Sequence, residues 1–323
     1  MSLIGDAPSF ARVLDRLRLV AASDATVLVE GDTGTGKELV ARRIHELSSR
    51  RPHLFCAVNC GAIPDSLVED ELFGHARGAF TDARDDRVGL LATADKGTFC
   101  LDEVGSLSAR GQQVLLRVLE DRVLRRVGST AEHRINVRFI ALTNTPLWDL
   151  VKQGRFRADV YYRLCVLSIV LPPLRERLSD VLPLARHFLQ KHARTDQPVT
   201  IISPDAERRL MDFDWPGNVR QLEHTILRAA QLAATPIVEA GDIELPDLSE
   251  PSERGQTAHL HRDSFTALKR QAVEAFERRY LTGLMQQCRG NITHAARLAH
   301  KDRRDLSKLL KKYHIMPRTF AGA

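Results

Sequence analysis

The stretch Thr26-Val-Leu-Val-Glu-Gly-Asp-Thr-Gly-Thr-Gly-Lys-Glu38 decides the fold of this chain. It opens with a short apolar run, Thr26–Val29, which predicts a buried strand. The residues that follow, Glu38–Leu47, place Leu, Val and Ile on one side and predict a helix. A glycine-rich turn between a strand and a helix directs backbone N–H groups at phosphate oxygens, and the helix dipole adds to the attraction. The sequence therefore predicts a phosphate-binding loop.

The residues of this loop have separate expected roles. Lys37 is expected to pair with the β- and γ-phosphates of a nucleotide. Glu38 departs from the general pattern, because a serine or threonine that reaches Mg²⁺ usually stands there. A glycine-rich turn that arises by chance is the alternative, and the strand–turn–helix context argues against it. The residues predicted to contact the nucleotide are Gly31, Asp32, Thr33, Gly34, Thr35, Gly36, Lys37 and Glu38.

A second stretch, Phe99-Cys-Leu-Asp-Glu103, supports nucleotide chemistry. It has the form of a Walker B element, an apolar strand that ends in two carboxylates. Asp102 is expected to hold Mg²⁺, and Glu103 is expected to polarise the water that attacks the γ-phosphate. Acidic residues end many strands, so this pattern has weight only together with the phosphate-binding loop. The two stretches make nucleotide hydrolysis the leading chemistry.

The order of strands and helices predicts the domain organisation. Strands alternate with helices in the first half of the chain, which predicts a parallel α/β sheet covered by helices on both faces. Helical patterns follow Pro172-Pro173, and a stretch rich in Pro, Ser, Gly and charge then has linker composition. The predicted domains are an α/β nucleotide-binding subdomain at 1–172, a helical subdomain at 173–245, a linker at 246–262 and a small all-α domain at 263–323.

Composition excludes several classes of protein. The 323 residues are 43% hydrophobic and 27% charged, which excludes disordered, collagen-like and disulfide-stapled chains. No apolar run approaches the roughly 18–20 residues that span a bilayer, and the first residues lack the pattern of a signal peptide. The five cysteines include no CxxC pair and are expected to be reduced thiols. A cytoplasmic protein without a membrane partner is expected.

Positive charge is concentrated near the carboxyl terminus. The formal net charge is +6, and residues 289–318 alone carry nine Lys and Arg against two Asp. The rest of the chain is therefore close to neutral. A basic module at one end of a neutral body favours nucleic-acid binding by that module, and a solvated charged face is the alternative.

Motifs along the whole chain closely resemble one family, the sigma-54-dependent transcriptional activators or bacterial enhancer-binding proteins. The resemblance implies an AAA+ P-loop NTPase, a parallel sheet sandwiched by helices with a helical lid, and a Fis-type helix-turn-helix domain after it. It also implies ATP and Mg²⁺ as cofactors. The motifs are LIGDAP, GDTGTGKE, VNCGAIPDSLVEDELFGHARGAFTDA, GTFCLDE, QVLLRVLEDRVLRRVGS, GRFRADVYYRLCVLSIVLPPLRER, FDWPGNVRQLEH and GNITHAARLAHKDRRDLSKLLKKYHI.

The resemblance implies roles for further residues around the nucleotide. Glu38 is ordinary in this family, whose phosphate loop ends in Lys-Glu. Asn59 matches an asparagine that restrains the Walker B glutamate until the partner is engaged. Thr143 and Asn144 match sensor I, which responds to the γ-phosphate, and Arg220 matches the sensor II arginine, which links the lid to the nucleotide.

The resemblance also implies assembly and partners. Arg157 and Arg163 match paired arginines that act on the nucleotide of a neighbouring subunit, and a surface ion pair with Asp159 is the alternative for Arg157. Family members assemble from dimers into rings, usually hexamers. They use ATP hydrolysis to remodel the closed promoter complex of the sigma-54 RNA polymerase holoenzyme.

One loop departs from the family signature GAFTGA, because residues 78–83 read GAFTDA. Phe80 and Thr81 match residues that contact sigma-54, and an ordinary core aromatic is the alternative for Phe80. Asp82 replaces a glycine, which places a carboxylate near the contact. This leaves the ATPase assignment intact and weakens the sigma-54 assignment. The predicted contact loop is Gly78, Ala79, Phe80, Thr81, Asp82 and Ala83.

The last helices predict a DNA-binding element. Thr293–Ala299 is the predicted first helix, and Arg303–Tyr313 is the predicted recognition helix, which enters the major groove. A solubilising basic tail is the alternative. An amphipathic helix from Asp263 is expected to pair with its copy, so that a dimer binds pseudo-palindromic enhancer DNA. The predicted DNA-contacting residues are Arg303, Arg304, Ser307, Lys308 and Lys311.

The leading hypothesis is therefore an ATP-driven activator, cytoplasmic and associated with the nucleoid when bound to DNA. No sensory domain precedes the AAA+ motifs, so a complete chain would be constitutive or would depend on a regulatory protein acting in trans. The alternative is a DNA-binding repressor or sigma-70-type modulator for which nucleotide only sets the oligomeric state. Asp82 is the only sequence support for that alternative.

Overall fold

The computed structural model describes residues 3–80, 83–192, 201–233 and 235–246, and then 277, 280–282, 284–286, 288–299, 301–313 and 315–317. The chain divides into two compact units, 1–245 and 246–323. The helices of the larger unit are α1 (Pro8–Ala21), α2 (Lys37–Leu47), α3 (Val68–Phe73), α4 (Leu90–Thr93), α5 (Ala109–Asp121), α6 (Leu147–Lys152), α7 (Ala158–Leu164), α8 (Val181–Lys191), α9 (Pro204–Met211) and α10 (Asn218–Leu232). Its strands are β1 (Val27–Glu30), β2 (Phe55–Asn59), β3 (Gly74–His75), β4 (Arg87–Val88), β5 (Thr98–Asp102), β6 (Val123–Arg125), β7 (Glu132–Arg134), β8 (Arg138–Thr143), β9 (Leu167–Val170), β10 (Ile201–Ile202) and β11 (Ile237–Val238).

A five-stranded parallel sheet forms the centre of the larger unit, in the order β2-β5-β8-β1-β9. In the register of the sheet, Val27 of β1 lies between Ile140 of β8 and Leu167 of β9. Every residue of β8 is buried, as expected for a central strand with helices over both faces. The predicted parallel α/β sheet is therefore confirmed, and the carboxyl ends of its five strands lie at one edge.

Apolar layers on the two faces fix the strands in place. On one face, the rings of Phe99 and Phe139 meet edge-on with their centroids 6.0 Å apart. On the other face, Leu17 of α1 and Ile44 of α2 pack in one cluster with Val29. Burial of each such side chain contributes about 1.5–3 kcal/mol. The strand ends are thus carried by a rigid sheet.

Helices α8, α9 and α10 form a second apolar core after Pro172-Pro173. At its centre lies Trp215, which is fully buried and donates a hydrogen bond of 2.9 Å from Nε1 to the Leu210 carbonyl oxygen. That bond satisfies the only polar group of a buried indole. The predicted change from strands to helices is confirmed.

In the smaller unit, two helices are described, α11 (Ile292–Leu298) and α12 (Arg303–Lys312). The side chain of Asn291 caps α11, and that of Asp302 caps α12. Leu306 and Leu310 of α12 are buried in a cluster that includes residues of α11. The two predicted helices thus exist within one residue of their expected bounds. The predicted linker beyond Pro246 and most of the predicted amphipathic helix lie outside the described residues.

All five cysteines are free, in agreement with the expected reduced thiols. Burial, together with the nearby negative charges of Asp102 and Glu103, raises the pKa of Cys60 to about 12. Over the described part of the chain, no helix has the length and apolar character needed to cross a membrane.

Arg50 joins three segments that lead into strands of the sheet. Its guanidinium donates to Asp24 before β1, with Nε to Oδ1 at 3.0 Å and Nη2 to Oδ2 at 3.1 Å. It also donates to the carbonyl oxygens of Lys96 and Gly97 before β5, and to the carbonyl and side-chain oxygens of Asn136 before β8. The hydrogen bond from Arg50 lowers the pKa of Asp24. One buried side chain therefore fixes the amino-terminal edge of the sheet.

We expect Arg50→Ala to lower the free energy of unfolding of the larger unit by about 3 kcal/mol, because several carbonyl groups lose their donor. The neighbouring Arg51→Ala is the matched control, since Arg51 is exposed, and its effect should stay within about 0.5 kcal/mol. Urea denaturation followed by circular dichroism measures both values. Equal effects of the two substitutions would contradict the role given to Arg50.

Candidate functional site

The carboxyl edge of the sheet gathers the predicted nucleotide-contacting residues. Asn59 ends β2, Asp102 ends β5 and Thr143 ends β8, while the glycine-rich loop follows the end of β1. Asn59 and Asp102 are direct partners in the register of β2 and β5. Ligands of parallel α/β sheets bind outside this edge. The fold therefore brings together residues that are far apart in sequence.

The glycine-rich loop needs glycine at two positions of positive φ. Gly34 has φ +81° and Gly36, the residue before α2, has φ +99°. A Cβ atom at Gly34 would lie 2.3 Å from the Gly217 carbonyl oxygen, so a side chain there would displace the helical subdomain. The first turn of α2 then presents its unpaired N–H groups and positive dipole end at the loop.

Lys37 is held inside the loop that it follows. Its Nζ donates to the carbonyl oxygen of Gly31 at 2.6 Å and to that of Asp32 at 3.1 Å. Burial lowers the pKa of Lys37, whereas the negative charges of Asp102 and Glu103 oppose the decrease. The ammonium group is therefore within electrostatic range of both Walker B carboxylates.

A cleft of about 260 Å³ opens between the loop, the strand ends and α10. It brings together five of the eight predicted loop residues, both carboxylates, one residue of the predicted sensor I and the predicted sensor II arginine, whereas Gly31, Asp32 and Thr35 of the loop do not line it. Asn59, Thr143, Arg157 and Arg163 do not line it. The lining residues are Thr33, Gly34, Gly36, Lys37, Glu38, Leu39, Asp102, Glu103, Asn144, Val219, Arg220, Glu223 and His224.

Glu103 and Asn59 converge beside this cleft. Oε2 of Glu103 and Oδ1 of Asn59 lie 3.2 and 3.3 Å from the point that a Cβ atom on Gly61 would occupy. Asn59 Oδ1 also accepts a hydrogen bond of 2.8 Å from the Gly61 backbone N–H. Glu103 has φ +54°, the left-handed region that non-glycine residues rarely adopt. Backbone strain of this kind concentrates at functional sites.

The helical subdomain binds the phosphate loop through consecutive loop carbonyls. Nδ2 of Asn218 donates to the Thr33 carbonyl oxygen at 3.0 Å, and the backbone N–H of Arg220 donates to that of Gly34 at 3.2 Å. Asn218 itself is fully buried at φ +53°. Sequence analysis missed Asn218, although it stands inside the quoted motif FDWPGNVRQLEH.

Arg177 makes the third hydrogen bond to a carbonyl of the phosphate loop, and sequence analysis did not identify it either. Its Nη2 donates to the Thr35 carbonyl oxygen at 3.0 Å, and its guanidinium lies 4.6 Å from the centroid of the Phe10 ring. Burial lowers the pKa of Arg177, and the charge of Asp180 opposes this. Oδ1 of Asp180 accepts hydrogen bonds of 2.8 Å from the backbone N–H groups of residues 6 and 7. The LIGDAP motif, residues 3–8, is therefore hydrogen-bonded to Asp180, close to the contact between Arg177 and the phosphate loop.

An apolar pocket of about 380 Å³ lies beside the cleft and shares Gly36, Leu39, Val219 and Glu223 with it. Burial would raise the pKa of Glu223, but hydrogen bonds from Lys191 and His192 bring it below the ordinary value. Sequence analysis identified neither this pocket nor Glu223. The remaining lining residues are Leu3, Ile4, Phe10, Thr35, Arg177, Leu184, His187, Phe188 and Lys191.

The paired arginines lie on the surface of the larger unit. Arg157 donates to the carboxylate of Asp159 from Nε at 3.0 Å and from Nη2 at 2.7 Å. Nη2 of Arg163 lies 3.3 Å from Oε1 of Glu120. The side chains are 45% and 57% exposed, and exposed ion pairs of this kind add little stability. The surface ion pair considered for Arg157 is present, and both guanidinium groups face solvent.

Phe80 is exposed, as expected for a contact loop and not for a core aromatic. Its side chain is 45% exposed, and its ring meets that of His75 edge-on at 4.8 Å. The Gly78 backbone N–H donates to the Ala83 carbonyl oxygen at 2.8 Å. Thr81 and Asp82 lie outside the described residues.

Helix α12 of the smaller unit has one apolar and one basic side. Leu306 and Leu310 are buried, whereas the predicted DNA-contacting residues point away from that core. The exposed residues of the set are Arg303, Arg304, Lys308 and Lys311, and Ser307 is partly exposed.

Known families match both parts of the larger unit. The family described as the sigma-54 interaction domain matches residues 3–170, and the AAA+ ATPase lid domain matches residues 175–261. The transcriptional regulatory protein GlrR of Escherichia coli is 42% identical over 97% of this chain and 68% of its own length. The anaerobic nitric oxide reductase transcription regulator NorR of Salmonella dublin is 41% identical over 96% of this chain and 62% of its own length.

A solved structure has the same fold over nearly the whole chain. NtrX from Brucella abortus, in complex with ATP, superposes with a TM-score of 0.72 at 31% identity, over 97% of this chain and 69% of NtrX. The parallel sheet lies within the residues that the first family matches, and the helical subdomain lies within those that the second family matches. The chain belongs to the sigma-54-dependent transcriptional regulators, and its larger unit is an AAA+ P-loop NTPase with a helical lid.

Proposed function

We propose that this chain hydrolyses ATP to remodel the closed complex of sigma-54 RNA polymerase, as an activator bound to upstream enhancer DNA. The observation that carries the proposal is the cleft that gathers Lys37, Asp102, Glu103, Asn144 and Arg220. These groups match the requirements of phosphoryl transfer, which needs positioning and charge stabilisation more than covalent chemistry.

The cleft fits a nucleotide with Mg²⁺. Among the described residues, no group of three or more His, Cys, Asp or Glu is arranged to hold a metal. Mg²⁺ needs no such cage, since one or two carboxylates together with substrate phosphates suffice. Asp102 is the residue that would hold it, and the ion would neutralise charge on the β- and γ-phosphate oxygens. The apolar pocket between Phe10 and Phe188 would take the adenine base.

Each residue of the site has a role in this reaction. Lys37 and the loop N–H groups bind the phosphates, and Glu103 accepts the proton of the attacking water. Asn59 restrains Glu103 from the neighbouring strand until sigma-54 is engaged. Thr143 orients the segment of Asn144, which responds to the γ-phosphate. Arg220 links the position of the lid to the state of the nucleotide.

Arg157 and Arg163 complete the site of a neighbouring copy. Both side chains are exposed and neither lines the cleft of its own chain. A guanidinium stabilises charge on the transferred phosphoryl group only when it reaches that group. These positions support a ring of identical subunits, with hexamer as the expected closed form.

In the loop of residues 78–83, the exposed Phe80 and the neighbouring Thr81 would contact sigma-54. In the smaller unit, the basic side of α12 would enter the major groove of enhancer DNA, with its lysines on phosphates. DNA binding would place the ring near the promoter, and a regulatory protein acting in trans is compatible with this arrangement.

Glu103→Gln should lower kcat for ATP hydrolysis by at least about 100-fold, because it removes the base and preserves shape. Nucleotide affinity, measured with a fluorescent ATP analogue, should change less than about threefold. Glu46→Gln is the control, since Glu46 pairs with Arg43 on the surface of α2. Full turnover by Glu103→Gln would refute the assignment.

Mixing two inactive variants tests action between subunits. Lys37→Ala disables the cleft by removing the lysine that binds the phosphates, and Arg163→Ala removes the arginine offered to the neighbouring copy, so neither variant should hydrolyse ATP alone. In an equal mixture about a quarter of the interfaces join an intact cleft to an intact arginine, and a matching fraction of activity should return. Arg155→Ala, an exposed neighbour, should behave like wild type. No recovery on mixing would count against the proposal.

Arg304→Ala and Lys308→Ala should each weaken DNA binding by roughly threefold to tenfold at fixed salt. Lys312→Ala is the matched control, because its Nζ lies 3.5 Å from Glu277 and 2.7 Å from the Tyr313 hydroxyl. Fluorescence anisotropy with a labelled random-sequence duplex measures the affinities. Unchanged affinity in both variants would show that α12 does not bind DNA.

A further inference from the structure

A carboxylate stands on the otherwise basic side of α12. Residues 289–318 contain two acidic residues, Asp302 and Asp305, among nine Lys and Arg. Asp302 precedes the helix and serves its structure, because Oδ1 accepts a hydrogen bond of 2.7 Å from the Arg304 backbone N–H. Asp305 is the third residue of the helix and does not cap it. Its place among these cations therefore needs another explanation.

Asp305 faces solvent next to residues that are predicted to contact DNA. Its side chain is 64% exposed, whereas the next residue, Leu306, is buried. Oδ1 of Asp305 lies 3.6 Å from Nζ of Lys308, which is one turn further along α12. That separation is longer than a hydrogen bond, and an exposed ion pair of this kind adds little stability. The carboxylate can therefore accept hydrogen bonds from another molecule.

A carboxylate in this position opposes binding to the DNA backbone. A duplex carries one negative charge per about 1.7 Å of its axis, so Asp305 lowers the affinity for DNA of any sequence. The first residues of a recognition helix, however, lie against base edges in the major groove. Asp305 belongs to the first turn of α12 and precedes Lys308 by three residues. An amino group on a base edge is the partner that would make its carboxylate favourable.

The edges of the four bases in the major groove decide which base a carboxylate favours. An ionised carboxylate accepts hydrogen bonds and donates none. Guanine presents the acceptors N7 and O6, thymine presents the acceptor O4, and adenine presents the acceptor N7 beside its amino group. Cytosine presents the N4 amino group without an acceptor beside it. A carboxylate at the base edges therefore favours cytosine and disfavours the other three bases.

We propose that Asp305 is a specificity-determining residue, which accepts a hydrogen bond from N4 of a cytosine in each half-site of the bound DNA. The inference rests on the proposed function and deepens it, since it names one base that the smaller unit selects. The cations of α12 attract DNA of any sequence. Asp305 reduces that attraction at every site that lacks the cytosine, and the hydrogen bond to N4 offsets the reduction where the cytosine is present.

Selection of binding sites from a library of randomised duplexes tests the inference with the full chain. Sequencing of the duplexes that wild type retains should show one position in each half-site at which cytosine is strongly enriched. In Asp305→Asn the preference at that position should change to adenine, because an asparagine side chain donates to N7 and accepts from N6. In Asp305→Ala the preference should be lost. At the other positions, all three proteins should select the same bases.

Equilibrium binding, followed by fluorescence anisotropy at fixed salt, measures the size of the effect. Replacing the cytosine pair of the selected duplex by any other pair should raise the Kd of wild type by at least about fivefold. The same replacements should change the Kd of Asp305→Ala by less than about twofold. For a random-sequence duplex, Asp305→Asn should instead lower the Kd by roughly twofold to threefold, because one repulsive charge is lost.

Asp302→Asn is the matched control. It removes the same charge beside the same helix, and asparagine caps a helix about as well as aspartate does. Its Kd for the random-sequence duplex should fall by a similar factor, whereas its preference for cytosine should stay that of wild type. An effect of net charge therefore appears in both Asn variants, and a change of base preference appears only in the variants of Asp305.

Three results would overturn the inference. The first is an unchanged base preference in both variants of Asp305, which would leave the carboxylate as a repulsive charge and no more. The second is the absence of any position at which wild type prefers cytosine, and the third is loss of that preference in Asp302→Asn. Failure of wild type to bind any duplex would refute the DNA binding in the proposed function, and the inference with it.

Discussion

Backbone carbonyl groups of the phosphate loop are the physical constraint on which the larger unit depends. A loop that turns its N–H groups towards an anion turns its carbonyl groups the other way, and buried carbonyls need donors. Here the donors for Thr33, Gly34 and Thr35 come from Asn218, Arg220 and Arg177 of the helical lid. The loop therefore keeps its shape only while the lid stays in register with it. A change in the shape of the loop would break these three hydrogen bonds unless the lid moved with it.

At the same edge of the sheet, the Glu103–Asn59 pair lies a short length of chain from the contact loop. The left-handed backbone of Glu103 places its carboxylate near Asn59 on the adjacent strand. From Asn59 the chain passes through one short 3₁₀ helix to α3, which leads directly into β3, and Asp70 of α3 contacts His75 of β3 and Arg87 of β4.

The sequence was sufficient to predict the positions of residues that depend only on their neighbours in the chain. The phosphate loop, Asp102 and Glu103 stand directly at strand ends, and the predicted parallel sheet brings the ends of its strands to one edge. Strand bounds differ by one residue at β1, which is observed at Val27–Glu30 and was expected at Thr26–Val29. The motif placed Phe80 in an exposed contact loop and the alternative placed it in the core, and its ring is exposed.

Contacts between distant segments were beyond sequence analysis. Arg177 and Thr35 are 142 residues apart, and Asn218 and Thr33 are 185 apart, so no periodicity relates them. The contacts of Asp70 with His75 and Arg87 could not be predicted either, because a carboxylate on a short helix ordinarily faces solvent. For Arg157 the pattern allowed an ion pair or a role in another copy. The structure shows the ion pair with Asp159 and leaves the guanidinium exposed, which is compatible with both.

The central claim is that the state of the nucleotide in the cleft controls the grip of this protein on sigma-54. The most direct measurement is retention of purified sigma-54 by the protein in gel filtration, with ADP alone and with ADP and aluminium fluoride. We predict a stable complex with the phosphoryl-transfer mimic and none with ADP. A protein that splits ATP but retains sigma-54 equally in both states, or in neither, would contradict the claim.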